Sequence, residues 1–287
     1  MKKIEINMSD IGFGANRIGI QHGYTIIKEK YPQLASKINY VPYNYMFEDV
    51  TQSNKKFYNT VFEATLGIYN ANLDSIEKGK LPVLLGGDHS LALGSVKASL
   101  KANEGEDIGL VWIDAHADIN TFEITDSGHI HGMPVAGLLG LNDDKYNSLG
   151  NDLQIKPSNL VYFATRSIDY GEDVFINKYN ILNLTDAKIK ASSFEERLNE
   201  LVTYLKNKVN KVHISLDLDS INPDEIKGVS TPVFGGLKKD EPLKIFKRLS
   251  EEFEVVGIDI VEYNPMEDTD EKTVEYVNSL LEEVEKL

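Results

Sequence analysis

Asp114, His116 and Asp118, three residues of metal-binding type at every second position, follow directly on the apolar run Gly109-Leu110-Val111-Trp112-Ile113. Side chains of a strand alternate between faces, so the spacing predicts that the three converge on one point where a buried strand ends. The arrangement recurs where Val212-His213-Ile214-Ser215-Leu216 runs into Asp217-Leu218-Asp219. A third segment, Leu81-Pro82-Val83-Leu84-Leu85, leads into Gly86-Gly87-Asp88-His89-Ser90, whose glycines permit a tight turn that delivers His89. Any one of these pieces could be a helix cap or a core histidine. Together they point to a metal cluster. Two histidines and four aspartates exceed what one tetrahedral ion needs, and carboxylates can bridge, so a pair of ions ~3.5–4 Å apart is expected. Oxygen and imidazole donors without thiolate suit manganese, with cobalt, nickel and iron also compatible. Such a pair acidifies a water at neutral pH.

The elements that must position these groups read as alternating strands and helices. Strands are expected at Ile4–Asn7, Val83–Leu85, Gly109–Ile113, Leu160–Ala164, His213–Leu216 and Val255–Ile260, and amphipathic helices at Lys55–Gly79, Ser193–Val209, Lys239–Glu252 and Glu271–Leu287. That alternation predicts an α/β fold, a mainly parallel sheet with helices on both faces. Ligand sites of such sheets lie beyond the carboxyl ends of the strands. His89, the Asp114–Asp118 segment, Arg166 with Asp169, Asp217 with Asp219, and Glu262 each follow a different strand, so five segments should meet at one rim. No linker, repeat or low-complexity tract divides residues 1–287, and one domain is expected.

The formal net charge of -15 disfavours nucleic acid as a partner and would draw in a cationic substrate. With no cysteine, disulfides, zinc–thiolate sites and thiol nucleophiles are excluded together. The start, Met1-Lys2-Lys3-Ile4-Glu5-Ile6, lacks the apolar stretch of a signal peptide, and no run approaches a membrane span. A soluble, cytoplasmic protein with no membrane partner is expected.

The strings Gly86-Gly87-Asp88-His89-Ser90, Asp114-Ala115-His116-Ala117-Asp118 and Ser215-Leu216-Asp217-Leu218-Asp219-Ser220 resemble the three signature motifs of the ureohydrolases, the arginase and agmatinase family of binuclear manganese enzymes. The resemblance runs from Gly12–Gly23 through Glu262 and implies a three-layer α/β/α sandwich. It implies two Mn²⁺ per chain, one held by His89, Asp114, Asp118 and Asp217, the other by Asp114, His116, Asp217 and Asp219. The chemical steps would then involve His131 as a proton shuttle, Glu262 beside the guanidinium, and Asp118. The loop Ile119–Gly132 is similar to the arginase pattern more than to the agmatinase one: Asn120, Thr125 and Ser127 align with residues that hold a substrate α-carboxylate, and Asp169 and Glu172 with residues that meet the α-ammonium. Thr231 aligns with a guanidinium-side group. His129 departs from the family, which usually carries asparagine there, and Phe122-Glu123 replaces a smaller, apolar pair.

The resemblance therefore implies hydrolysis of L-arginine to L-ornithine and urea by a metal-bridging hydroxide, in a homo-trimer or homo-hexamer. Agmatinase, or another guanidino-acid hydrolase, is the alternative within the class. A single-zinc deacetylase on a related sheet would not use both Asp217 and Asp219. A catalytically silent regulatory subunit would need a broken site, and no ligand is missing.

Overall fold

The computed structural model describes residues 3–51 and 53–287; Met1 and Lys2, part of the start read above for a leader, lie outside the described residues. Among the described residues eight strands form one sheet: β1 (Ile4–Met8), β2 (Ile38–Tyr40), β3 (Leu81–Leu85), β4 (Ile108–Ile113), β5 (Leu160–Phe163), β6 (Leu182–Leu184), β7 (Lys211–Asp217) and β8 (Glu254–Val261). Their order is β2-β1-β3-β8-β7-β4-β5-β6, and every pairing is parallel. The expected α/β architecture is present, with helices covering both faces.

Both faces carry a core, and β3, β4, β5 and β8 contribute apolar side chains to each. Within β4, Val111 and Ile113 join one hydrophobic cluster while Leu110 and Trp112 join the other. The first face is covered by the helix Phe194–Lys206, which buries Leu198, Leu201, Val202 and Leu205, and by the helices Glu241–Glu252 and Lys272–Val284. The second is covered by the helices Tyr58–Glu77 and Ala92–Ala102. Gly94 lies where a Cβ would meet the Thr65 carbonyl oxygen at 2.1 Å, so only glycine lets these two helices approach so closely.

What matters for the site is register. Ile113 pairs with Leu216, Asp217 with Val261, and Leu85 with Ile260, so β3, β8, β7 and β4 end at one level. The two strands that lay outside the sequence expectation, β2 and β6, have three residues each and form the two edges. The turn after β3 depends on Gly86 and Gly87, at φ +74° and +76°. A Cβ on Gly87 would sit 2.7 Å from the Ser9 carbonyl oxygen and 2.3 Å from Leu91 Cδ1. Gly87→Ala should therefore lower the unfolding free energy by ~1–3 kcal/mol, the cost of a forced left-handed alanine with a backbone contact. Urea denaturation measures it, and an unchanged midpoint would show that the turn has an alternative conformation.

Candidate metal centre

β4 stops at Ile113, so Asp114, His116 and Asp118 lie in a loop beyond the strand, and Asp118 adopts φ +49°. Strand alternation does not bring the three together, as the sequence spacing suggested; the loop's own turns do. Asp217 is the last residue of β7, Asp219 sits in the short 3-10 turn Leu218–Ser220, and His89 opens another at His89–Leu91. Asp88 caps that turn by accepting from the Ser90 amide, and it accepts from the Gly14 amide at 2.8 Å. Arg166 binds the region from outside, donating to the Asp219, Ser220 and Val233 carbonyls.

These placements create two triads that share one carboxylate: His89, Asp114 and Asp217, and Asp114, His116 and Asp219. His89 Nδ1 lies 3.0 Å from Asp114, 3.1 Å from Asp118 and 3.3 Å from Asp217. It is buried and has no hydrogen-bond partner, whereas Nε2 is 2.9 Å from Ser215 Oγ. An imidazole anchored through Nε2 presents the Nδ1 lone pair to the three carboxylates, which is the donor set a divalent cation takes. His89 also stacks on Trp112, whose indole N–H donates to Asp114 at 2.9 Å. In the second triad His116 Nδ1 lies 3.1 Å from Asp219 and 3.5 Å from Asp114. Thr231 donates to the same Asp219 carboxylate at 3.0 Å.

The electrostatics reflect this crowding. Burial pushes Asp217 well above the usual carboxylate range, with the Asp219 and Asp114 charges adding to it, and burial with Asp114 pushes Asp118 up to about 6. Burial opposes the charged form of both histidines, yet Asp114, Asp118 and Asp217 raise His89, and Asp219 and Asp114 raise His116, well above the ordinary value. Burial also works against ionised Asp114, but the two histidines hold it below the usual range. So many negative groups at one point call for positive charge. Oxygen and imidazole donors at these distances fit divalent metal.

Above the triads lies a cavity of ≈ 260 Å³ lined by His116, Asp118, Asn120, Thr125, Ser127, His129, His131, Asp169, Glu172, Asp217 and Thr231, joined by Asn16 and Ser167. Nearly all the residues expected at the site thus meet in one place. Asn16, from the N-terminal glycine-bearing loop, and Ser167 were not singled out from the sequence; the glycines of Gly12–Gly23 were the only signal for the first. The Thr125 and Ser127 hydroxyl oxygens accept from the Gly128 and His129 amides at 3.0 and 3.2 Å. Each hydroxyl therefore keeps its proton to donate. Asn120 donates to Asp169 at 3.1 Å.

Asp169 and Glu172 form a capping box on the helix Tyr170–Lys178. Glu172 is 3% exposed, accepts from the Asp169 and Ile119 amides at 2.9 and 3.2 Å, and is pushed up to about 8 by burial. Glu262, at φ +67°, stands behind the cavity wall. Its Oε1 accepts from the His89 amide at 2.9 Å and from His131 Nδ1 at 3.1 Å, and its Oε2 is buried without a partner. Burial opposes the charged form of His131, but Glu262, with Asp118 and Asp88 beyond it, pushes the imidazole up to about 9. His213 is fully buried between Ser99 and Asp259, away from the site.

Residues 9–285 match the sequence profile of the Arginase family. The chain is 33% identical over 294 residues to the arginase of Staphylococcus aureus (strain COL), an alignment covering 98% of this chain and 96% of that one. It is 38% identical over 211 residues to the arginase of Bacillus subtilis (strain 168), covering 72% and 70% of the two chains. Among solved structures, the arginase of Entamoeba histolytica in complex with L-ornithine superimposes with a TM-score of 0.89 at 26% identity, covering 98% of each chain. The native arginase of Bacillus caldovelox superimposes with a TM-score of 0.86 at 32% identity, covering 98% of this chain and 97% of that one.

Proposed function

The chain belongs to the arginase family and is a hydrolase acting on carbon–nitrogen bonds of linear amidines, and from that premise we propose that it hydrolyses L-arginine to L-ornithine and urea with two manganese ions per chain. The observation that carries this reading is the pair of triads sharing Asp114 on the floor of a cavity whose wall presents the Thr125 and Ser127 hydroxyls. In the proposal His89, Asp114, Asp118 and Asp217 hold one ion, and Asp114, His116, Asp217 and Asp219 the other. Bound there, the pair would supply Lewis acidity and an acidified water.

The remaining work falls to the chain's own side chains. Asn120, Thr125 and Ser127 would receive the α-carboxylate and Asp169 the α-ammonium, with Glu172 fixing Asp169 through its backbone amide. Thr231, already bound to Asp219, would stand at the guanidinium end. His131 lines the cavity with Nδ1 tied to Glu262, which leaves Nε2 to pass a proton to the departing ornithine amine. Displacement of His131 would leave Glu262 with its unpartnered Oε2 and one lone pair of Oε1, which keeps the His89 amide, to meet the planar guanidinium. The cytoplasmic location and the trimeric or hexameric assembly expected from the sequence belong to this reading, and light scattering of the purified protein would determine the second.

Urea release from a panel of L-arginine, agmatine and guanidino acids, with manganese, cobalt or zinc supplied in turn, tests the proposal. Arginine with manganese should give the highest kcat/KM; a clear preference for agmatine would move the chain to the alternative in its class. Within this scheme His131→Ala should keep its metal and lose ~10²-fold in kcat, the lower end of general acid catalysis because bulk water can still deliver protons. An unaltered rate and pH profile would leave His131 as part of the wall only.

A further inference from the structure

The segment 53–57 lies against the cavity loop and is fastened to it by one backbone and one side-chain hydrogen bond. The Lys56 amide donates to the Gly128 carbonyl at 2.8 Å, and Asn54 Nδ2 donates to the Phe122 carbonyl. A Cβ on Gly128 would fall 2.3 Å from the Ser53 carbonyl oxygen, so the approach is as close as a backbone permits. This fastening brings Lys56 Nζ to 3.5 Å from Nε2 of His129, which lines the cavity.

The contact sets a cation beside an imidazole of the cavity wall. Acidic residues outnumber basic ones 45 to 30, and the neighbouring Lys55 pairs with Asp143 at 3.0 Å while lying over the Tyr58 and Phe122 rings. Among the described residues Lys56 has no carboxylate within ion-pair distance, and its ammonium points instead at an uncharged imidazole. His129 is uncharged because burial, then the Lys56 cation and then His131, push it down to about 4. An ammonium has no lone pair, so it can only donate, and Nε2 accepts. The ring proton then resides on Nδ1. His129 is therefore a fixed donor backed by a permanent cation, in the place where the family usually carries an asparagine.

We propose that Lys56 is a specificity-determining residue, supplying through His129 the positive charge that selects substrates carrying a carboxylate. The inference rests on the arginine reading above and extends it to a residue from a segment outside the motif loops. Lys56 itself brings that charge to the cavity wall, 3.5 Å from His129 Nε2. His129 does not have to be protonated.

The experiment compares L-arginine with L-argininamide, which keeps the guanidinium and the α-amine and lacks only the carboxylate charge, on manganese-loaded wild type, Lys56→Gln and Lys56→Arg. In Lys56→Gln the arginine-to-argininamide ratio of kcat/KM should fall about 10- to 100-fold, the range of a lost charge-assisted hydrogen bond. The loss should appear in KM for arginine, and Lys56→Arg should restore most of it. The wild-type KM for arginine should rise with ionic strength more steeply than that of Lys56→Gln. A ratio that Lys56→Gln leaves intact, or an equal fall for both substrates, overturns the proposal and leaves the arginine reading standing. Wild-type preference for agmatine over arginine overturns that reading and this proposal with it.

Discussion

Asp114→Ala is expected to lose urea-forming activity by ~10³-fold or more and to bind neither metal tightly, because the acidification of water that the site depends on spans many pKa units. Asp114 is the one carboxylate common to both triads. One oxygen lies 3.0 Å from His89 Nδ1 and accepts from the Trp112 indole, and the other lies 3.5 Å from His116 Nδ1 and accepts from the His116 amide at 2.7 Å. Its removal strips a ligand from each half and leaves the buried indole N–H unsatisfied, which costs about 1–3 kcal/mol in stability. Asp114→Asn keeps one acceptor oxygen, enough for the Trp112 indole, while removing the charge, and so separates metal loss from misfolding. Metal content by mass spectrometry, read beside circular dichroism and urea release, checks both variants. Two metals per chain and full turnover in Asp114→Asn would sink the assignment of a shared ligand. Asp219→Ala offers the internal comparison, since the triad of His89, Asp114 and Asp217 survives without it.

Strand ends were legible in the sequence because each apolar run stops at a residue that cannot be left unpaired in a core. That logic found β1, β3, β4, β5, β7 and β8, and it brought His89, Asp114, Asp217 and Glu262 to one edge. It missed Ile38–Tyr40 and Leu182–Leu184, which are edge strands too short to show a period. The loop after Ile113 carries the ligands by turns, not by pleat, and the left-handed backbone at Asp118 and Glu262 leaves no trace in residue type. Nor could spacing reveal that His131 and Glu262, 131 residues apart, would share a hydrogen bond. Glu172 aligned with a substrate contact, yet both its oxygens accept backbone amides. One carboxylate can thus serve the helix start and the cavity wall together, and residue type alone does not say in what proportion.

L-arginine should exceed agmatine by on the order of 10³-fold or more in kcat/KM, since each polar group that a bound substrate would shut off from water without giving it a partner costs ~1–3 kcal/mol, and agmatine would leave several. The donors are in place before any substrate arrives. The Thr125 and Ser127 oxygens accept from the Gly128 and His129 amides, which leaves their protons to donate, and Asn120 donates to Asp169. In the proposed reading a wall of this kind would bind a carboxylate with little reordering. Asp169 sharpens the test because it meets a different part of the substrate. Asp169→Ala should weaken arginine turnover far more than that of a guanidino acid lacking the α-amine, for of those two only arginine brings an ammonium to the vacated position. The same variant also removes the helix cap at Tyr170–Lys178, and that loss falls on every substrate alike. The substrate-dependent part of the penalty is therefore the measure of recognition. Steady-state kinetics on arginine, agmatine and the deaminated guanidino acid, for wild type and Asp169→Ala, give that difference directly. A penalty identical across all three would assign Asp169 to the helix alone and return the choice of substrate to the carboxylate side of the cavity.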